Sequence, residues 1–146
     1  MNLLYLLALS AGSMLALQSS VNSKLGKVMG NPSLAAFTSF LIGIIGISIY
    51  LLVTRPHLPA FDDLAKAPAW TWIGGLLGSI YVTTVIIIAP KIGISTLSGL
   101  VIGGQLGMSI IIDHFGLFGV PQSPISLGRG VGVALILIGA VMVRKF

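Results

Sequence analysis

The sequence predicts an all-α integral membrane protein with five transmembrane helices, and three observations carry this. First, 55% of the 146 residues are hydrophobic and only 8% are charged, with a mean hydropathy of +1.07. A water-soluble domain with so few charges would have little to hydrate its surface. Second, the apolar residues fall into five runs, at about 3–21, 34–53, 70–89, 93–112 and 127–143. Each approaches the roughly 20 residues that a helix needs to cross a bilayer. Third, the eight basic residues lie between or beside these runs, where such charges set orientation and meet lipid headgroups. The net charge of +5 therefore points to a membrane and not to nucleic acid, since no aromatic–basic interleaving of a nucleic-acid platform accompanies it. One domain accounts for the chain. The absence of cysteine excludes disulfides and thiolate metal sites.

The first run begins Met1-Asn2-Leu3-Leu4-Tyr5, without a basic residue ahead of it or a small-residue cleavage site after it. It reads as a span, not as a cleaved signal. Its far end carries Gln18 and Asn22, four apart and so on one face, with Lys24 and Lys27 marking the membrane boundary. Asn22 either lines that face or caps the helix at the interface. Asn31 then predicts an N-cap with Pro32 in the first turn of the second helix. Thr38, Ser39 and Ser48 in that helix can each bond their own backbone, so it reads as scaffold.

Residues 54–69 form a proline-rich loop in which 60–66 suits a short interfacial helix. His57, Asp62 and Asp63 lack a third ligand spacing, so no metal is expected there. Trp70 and Trp72 are belt residues opening the third span. Gly74 and Gly78 are four apart, and Tyr81 follows on the same stripe. Small residues there let another helix approach. Tyr81 then either projects into a cavity or packs with one internal hydrogen bond. A tight turn is expected at Pro90–Gly93.

The fourth span is the most informative. Gly99, Gly103 and Gly107 recur every four residues, a packing seam for a second helix. On a neighbouring stripe lie Ser98, Gln105 and Ser109, with Asp113 at the end. An amide in mid-span is costly unless it faces a partner helix or a wet cavity, so Gln105 either lines a pathway or bonds a neighbour. Asp113-His114 closes the helix in a capping or interfacial role. The fifth span offers Gly128, Gly132 and Gly139 as a second possible seam.

Five spans place the termini on opposite sides of the membrane. Arg55, Lys66 and Arg129 then collect on one side, and Lys24, Lys27, Lys91, Arg144 and Lys145 on the other. Three against five is a weak bias for a rule that orients proteins by basic excess. Such a chain is expected to insert both ways and to pair as opposed copies, the inverted-repeat arrangement of many transporters.

The runs Leu15–Lys27 and Trp72–Tyr81, with Gly104-Gln105-Leu106 and Asp113-His114-Phe115-Gly116, resemble the YdcZ-type family of small bacterial membrane proteins in the drug/metabolite transporter superfamily. The resemblance implies five helices per chain. It also implies half of a ten-helix fold completed by antiparallel dimerisation, either with a second copy or with a related, oppositely oriented chain, alongside fused ten-helix relatives. Gln18 and Asn22 match the polar motif of the first helix, Tyr81 the glycine-rich third and Gln105 the fourth. The small multidrug cousins carry a membrane-embedded glutamate in the first helix, whereas this chain has no Glu and only Asp62, Asp63 and Asp113. A cation/proton antiporter of that type is therefore disfavoured.

The resulting expectation is an inner-membrane transporter of a small polar metabolite (neutral, zwitterionic or anionic) working by alternating access as an antiparallel homodimer. Gln18, Asn22, Tyr81, Gln105, Ser98 and Ser109 would bind substrate, and no cofactor is called for. A dual-topology ion channel and a non-transporting subunit of a heteromeric partner are the alternatives. Catalysis ranks last, because the sequence holds no nucleophile–base–acid pattern and no intramembrane carboxylate pair.

Overall fold

The computed structural model describes residues 3–145 and is all-helical. Met1, Asn2 and Phe146, which flank the first and last expected spans, lie outside the described residues. The long helices are α1 (Leu3–Met29), α2 (Pro32–Thr54), α4 (Gly74–Ile92), α5 (Ile94–Phe115) and α6 (Leu127–Lys145), with a short α3 (Phe61–Ala65) in the loop after α2. A 3₁₀ turn over Ala69–Ile73 leads into α4. Among the described residues, five helical stretches, counting the turn with α4, are long and apolar enough to cross a membrane. The chain divides into two compact units, one ending at Pro90 and one beginning at Lys91.

In the first unit α1 runs well past Val21, through Lys24 and Lys27, to Met29. Charge ends a membrane span but does not end a helix; no breaker occurs until Gly30, whose φ of 65° is in the left-handed region. Asn31 then caps α2, its Oδ1 accepting from the N–H groups of Ser33 (2.8 Å) and Leu34 (3.3 Å), with Pro32 in the first helical turn. The two helices pack as an antiparallel hairpin. Positions equidistant from the Gly30–Asn31 turn face one another, as where a Cβ on Gly26 would lie 3.8 Å from the Ala35 Cβ. The same Cβ would lie 2.8 Å from Ile86 Cγ2 of α4, so the three helices meet at Gly26. Ala35, Ala36 and Ile86 form the buried core there, flanked by Leu25 and Val82. Hydroxyls on α1 bond back to their own helix, Ser10 to the Leu7 carbonyl (2.8 Å) and Ser20 to that of Ala16 (2.9 Å). In lipid this satisfies groups that would otherwise have no water to bond.

The turn expected at Pro90–Gly93 is shorter than the sequence suggests. Helix α4 continues through Pro90 to Ile92, and only Gly93, at φ 84°, separates it from α5. A proline removes one donor and can sit in a final turn, and glycine alone takes the positive φ without strain.

In the second unit α5 and α6 are an antiparallel pair. Gly99 lies against Ala140, whose Cα would be 3.1 Å from an added Cβ, and Gly103 lies against Leu137, whose Cγ would be 3.2 Å away. A Cβ at Gly107 would meet nothing within 4 Å, and the same holds for Gly128, Gly132 and Gly139. The face that α6 presents to α5 is therefore Leu137 and Ala140, while its glycines lie elsewhere.

Candidate functional site

The polar residues of α1 and α4 converge. Gln18, Ser19, Asn22, Tyr81, Val82 and Val85 line one small cavity of about 10 Å³, which is room for about one water. Helix α1 is about 40 Å long at 1.5 Å per residue, and its midpoint falls near Ala16. The extension to Met29 thus leaves Gln18 close to the middle of the helix, with Asn22 about 6 Å further along.

The cavity residues differ in how they are bonded. Asn22 is 5% exposed, and its Nδ2 donates to Ser39 Oγ of α2 at 3.1 Å. A buried amide without such a partner would carry a desolvation cost of ~1–3 kcal/mol. Ser19 donates to the Leu15 carbonyl at 2.7 Å. The Gln18 amide and the Tyr81 hydroxyl take no part in the side-chain hydrogen bonds of the described residues, so both retain their full bonding capacity. Beside Asn22, the buried Ser23 Oγ also lacks a partner. Asn22 therefore ties the wall together, and Gln18 and Tyr81 supply open donors and acceptors.

The second half of the expected site lies on α5, in the other unit. Gln105 and Ser109 are exposed and Ser98 is half-buried. Of the expected packing glycines, Gly99 and Gly103 face α6, Gly78 has Phe40 Cζ at 3.8 Å from a would-be Cβ, and Gly74 and Gly107 meet nothing within 4 Å.

The sequence reading has Ser39 bonding its own helix backbone, as a helical hydroxyl usually does; instead it accepts from Asn22 of α1. The signal was available in the spacing: Ser39 is as far after the Gly30–Asn31 turn as Asn22 is before it. Arg129 was another omission. Its Nη2 pairs with Asp113 Oδ2 at 2.7 Å, and its Nη1 donates to the Ser123 carbonyl at 3.1 Å. The Asp113 carbonyl accepts from Ser123 N–H at 2.7 Å, while His114 Nδ1 accepts from Ile125 N–H at 3.2 Å. Asp113 and His114 thus anchor the loop to the end of α5. Among the described residues no cluster of three His, Asp or Glu is close enough to hold a metal.

A family described as "Putative inner membrane exporter, YdcZ" matches residues 3–142. The chain belongs to the YdcZ family. A relative from Escherichia coli (strain K12), the inner membrane protein YdcZ, is 27% identical over 138 residues, covering 94% of this chain and 91% of its own length. No solved structure matches. With its five apolar helices, this YdcZ-family chain is a multi-pass protein of the inner membrane, from a family described as exporters.

Proposed function

We propose that the protein exports a small polar metabolite by alternating access, as an antiparallel dimer of five-helix protomers. The observation that supports this most directly is the convergence of Gln18, Asn22 and Tyr81 on one cavity. Amide and phenol groups recognise neutral, zwitterionic or anionic solutes by hydrogen bonding, and without a carboxylate there the cavity has nothing to exchange a cation for a proton. At about 10 Å³ the cavity is too small to hold any metabolite. Parting of α1 and α4 would enlarge it, which is the kind of motion that alternating access requires. Gln105, Ser98 and Ser109 on α5 are the further polar positions assigned to the pathway. The weak basic bias of the loops and the lack of an internal repeat support completion of the fold by an opposed copy.

The test is flux in reconstituted vesicles, using a panel of labelled polar metabolites in the three charge classes. A saturable flux carried by the purified chain alone is the expected result. Gln18→Leu and Gln105→Leu should each abolish it while the purified oligomer remains monodisperse. Unchanged transport in both variants would sink the site assignment. Non-saturating flux at channel rates would favour an ion channel instead.

A further inference from the structure

Away from the polar cavity, a groove of about 610 Å³ lies beside the C-terminal end of α2, lined by Ser48, Leu51, Leu52, Arg55, Pro56 and Leu58. That volume is within the range of ligand sites in proteins. The groove exists because of how α2 stops. Arg55 adopts a left-handed conformation (φ 45°, ψ 54°), and its N–H donates to the Leu51 carbonyl at 2.9 Å. The chain thereby leaves the helix axis, and Pro56 and Leu58 form the second wall. Leu52 and Leu58 are 74% and 78% exposed, so the floor is greasy and open. At its rim stands the Arg55 guanidinium. Among the described residues the ion pair is Arg129 with Asp113, and neither Asp62 nor Asp63 neutralises Arg55.

We propose that this groove is a phospholipid site: one acyl chain lies along Leu51, Leu52 and Leu58, and the lipid phosphate binds the Arg55 guanidinium. Charge and depth both point to this occupant. Helix α2 has 23 residues and the highest hydropathy of the five, so its end falls where the hydrocarbon meets the headgroups. A planar guanidinium matches a phosphodiester with two parallel hydrogen bonds. The carbonyl end of α2 helps hold the cation in place. A soluble anion would have no use for the leucine floor, and a purely apolar partner would leave the arginine unpaired.

Native mass spectrometry of the full chain in detergent tests the assignment, with phosphatidylglycerol as the probe. Diacylglycerol of the same chains removes the phosphate, and glycerol phosphate removes the chains. One tightly held phosphatidylglycerol is expected, with both fragments bound at least about tenfold more weakly. Arg55→Gln should weaken phosphatidylglycerol by about tenfold. Ser48→Trp should do likewise by filling the groove while the guanidinium remains, and Arg144→Gln should change nothing. Unaltered binding in both groove variants would show ordinary annular lipid and overturn the proposal. Glycerol phosphate binding as tightly as phosphatidylglycerol would reveal a free-anion site and overturn it equally.

Discussion

Asn22 shows how much one amide governs inside a membrane protein. It is 5% exposed and has Ser39 as its hydrogen-bond partner. Interhelical hydrogen bonds in membranes average only ~0.6 kcal/mol, but Ser39→Ala would leave a buried donor unsatisfied. The desolvation cost decides, and Ser39→Ala is expected to destabilise by ~1–2 kcal/mol in a micellar unfolding titration. A loss below ~0.5 kcal/mol would mean that water takes the place of Ser39. Gln18, exposed and unbonded, should by contrast lose transport without losing stability when changed to Leu. At the other hairpin, the Asp113 and Arg129 side chains are 33% and 34% exposed. Solvent screening at that exposure limits the pair to ~1 kcal/mol of coupling in a double-mutant cycle of Asp113→Asn and Arg129→Gln. The sequence makes Gln18, Asn22 and Tyr81 stand out because amides and phenols are rare in apolar spans. Their partners were harder to read, since a hydroxyl beside a helix backbone is satisfied either locally or across an interface, and only register decides.

At the scale of helices, the apolar runs located all five elements but not their ends. A hydropathy reading stops at the first lysines, whereas α1 carries on to Gly30 because backbone geometry, not charge, terminates a helix. The glycine stripe of α5 was legible as a repeat, yet the repeat alone does not say how far a partner follows it. Helix α6 stays close at Gly99 and Gly103 and is absent from Gly107. Gly103→Leu is therefore expected to push Leu137 away and to lower the melting temperature. Gly107→Leu should leave the α5–α6 pair intact, so the difference in melting temperature between the two variants reads the length of the seam. Equal melting temperatures would mean that α6 tolerates the added bulk at Gly103. Gly26→Leu tests the other hairpin in the same way. With Ile86 2.8 Å from its would-be Cβ, that variant should lose ~1–3 kcal/mol or more to overpacking.

For the whole molecule, the question is which way it lies in the bilayer. The absence of native cysteine lets one thiol report this without background. Pro59→Cys places it in the exposed loop between α2 and α3, and an impermeant reagent applied to intact cells labels only chains with that loop outside. Partial labelling is the expected outcome for a chain that inserts both ways; complete labelling or none would send the search to an oppositely oriented partner. The Asp113–Arg129 pair bears on this through the order of events. Orientation is decided while the chain is being inserted, and it follows the basic residues themselves, not the net charge of a loop. Arg129 therefore counts in full in the contest of three basic residues against five, whatever it later binds. Asp113→Asn should accordingly leave the labelled fraction unchanged while loosening the end of α5; a shifted fraction would mean that the pair closes before α6 is seated. A contact that fastens the finished protein thus arrives too late to choose which way up it stands.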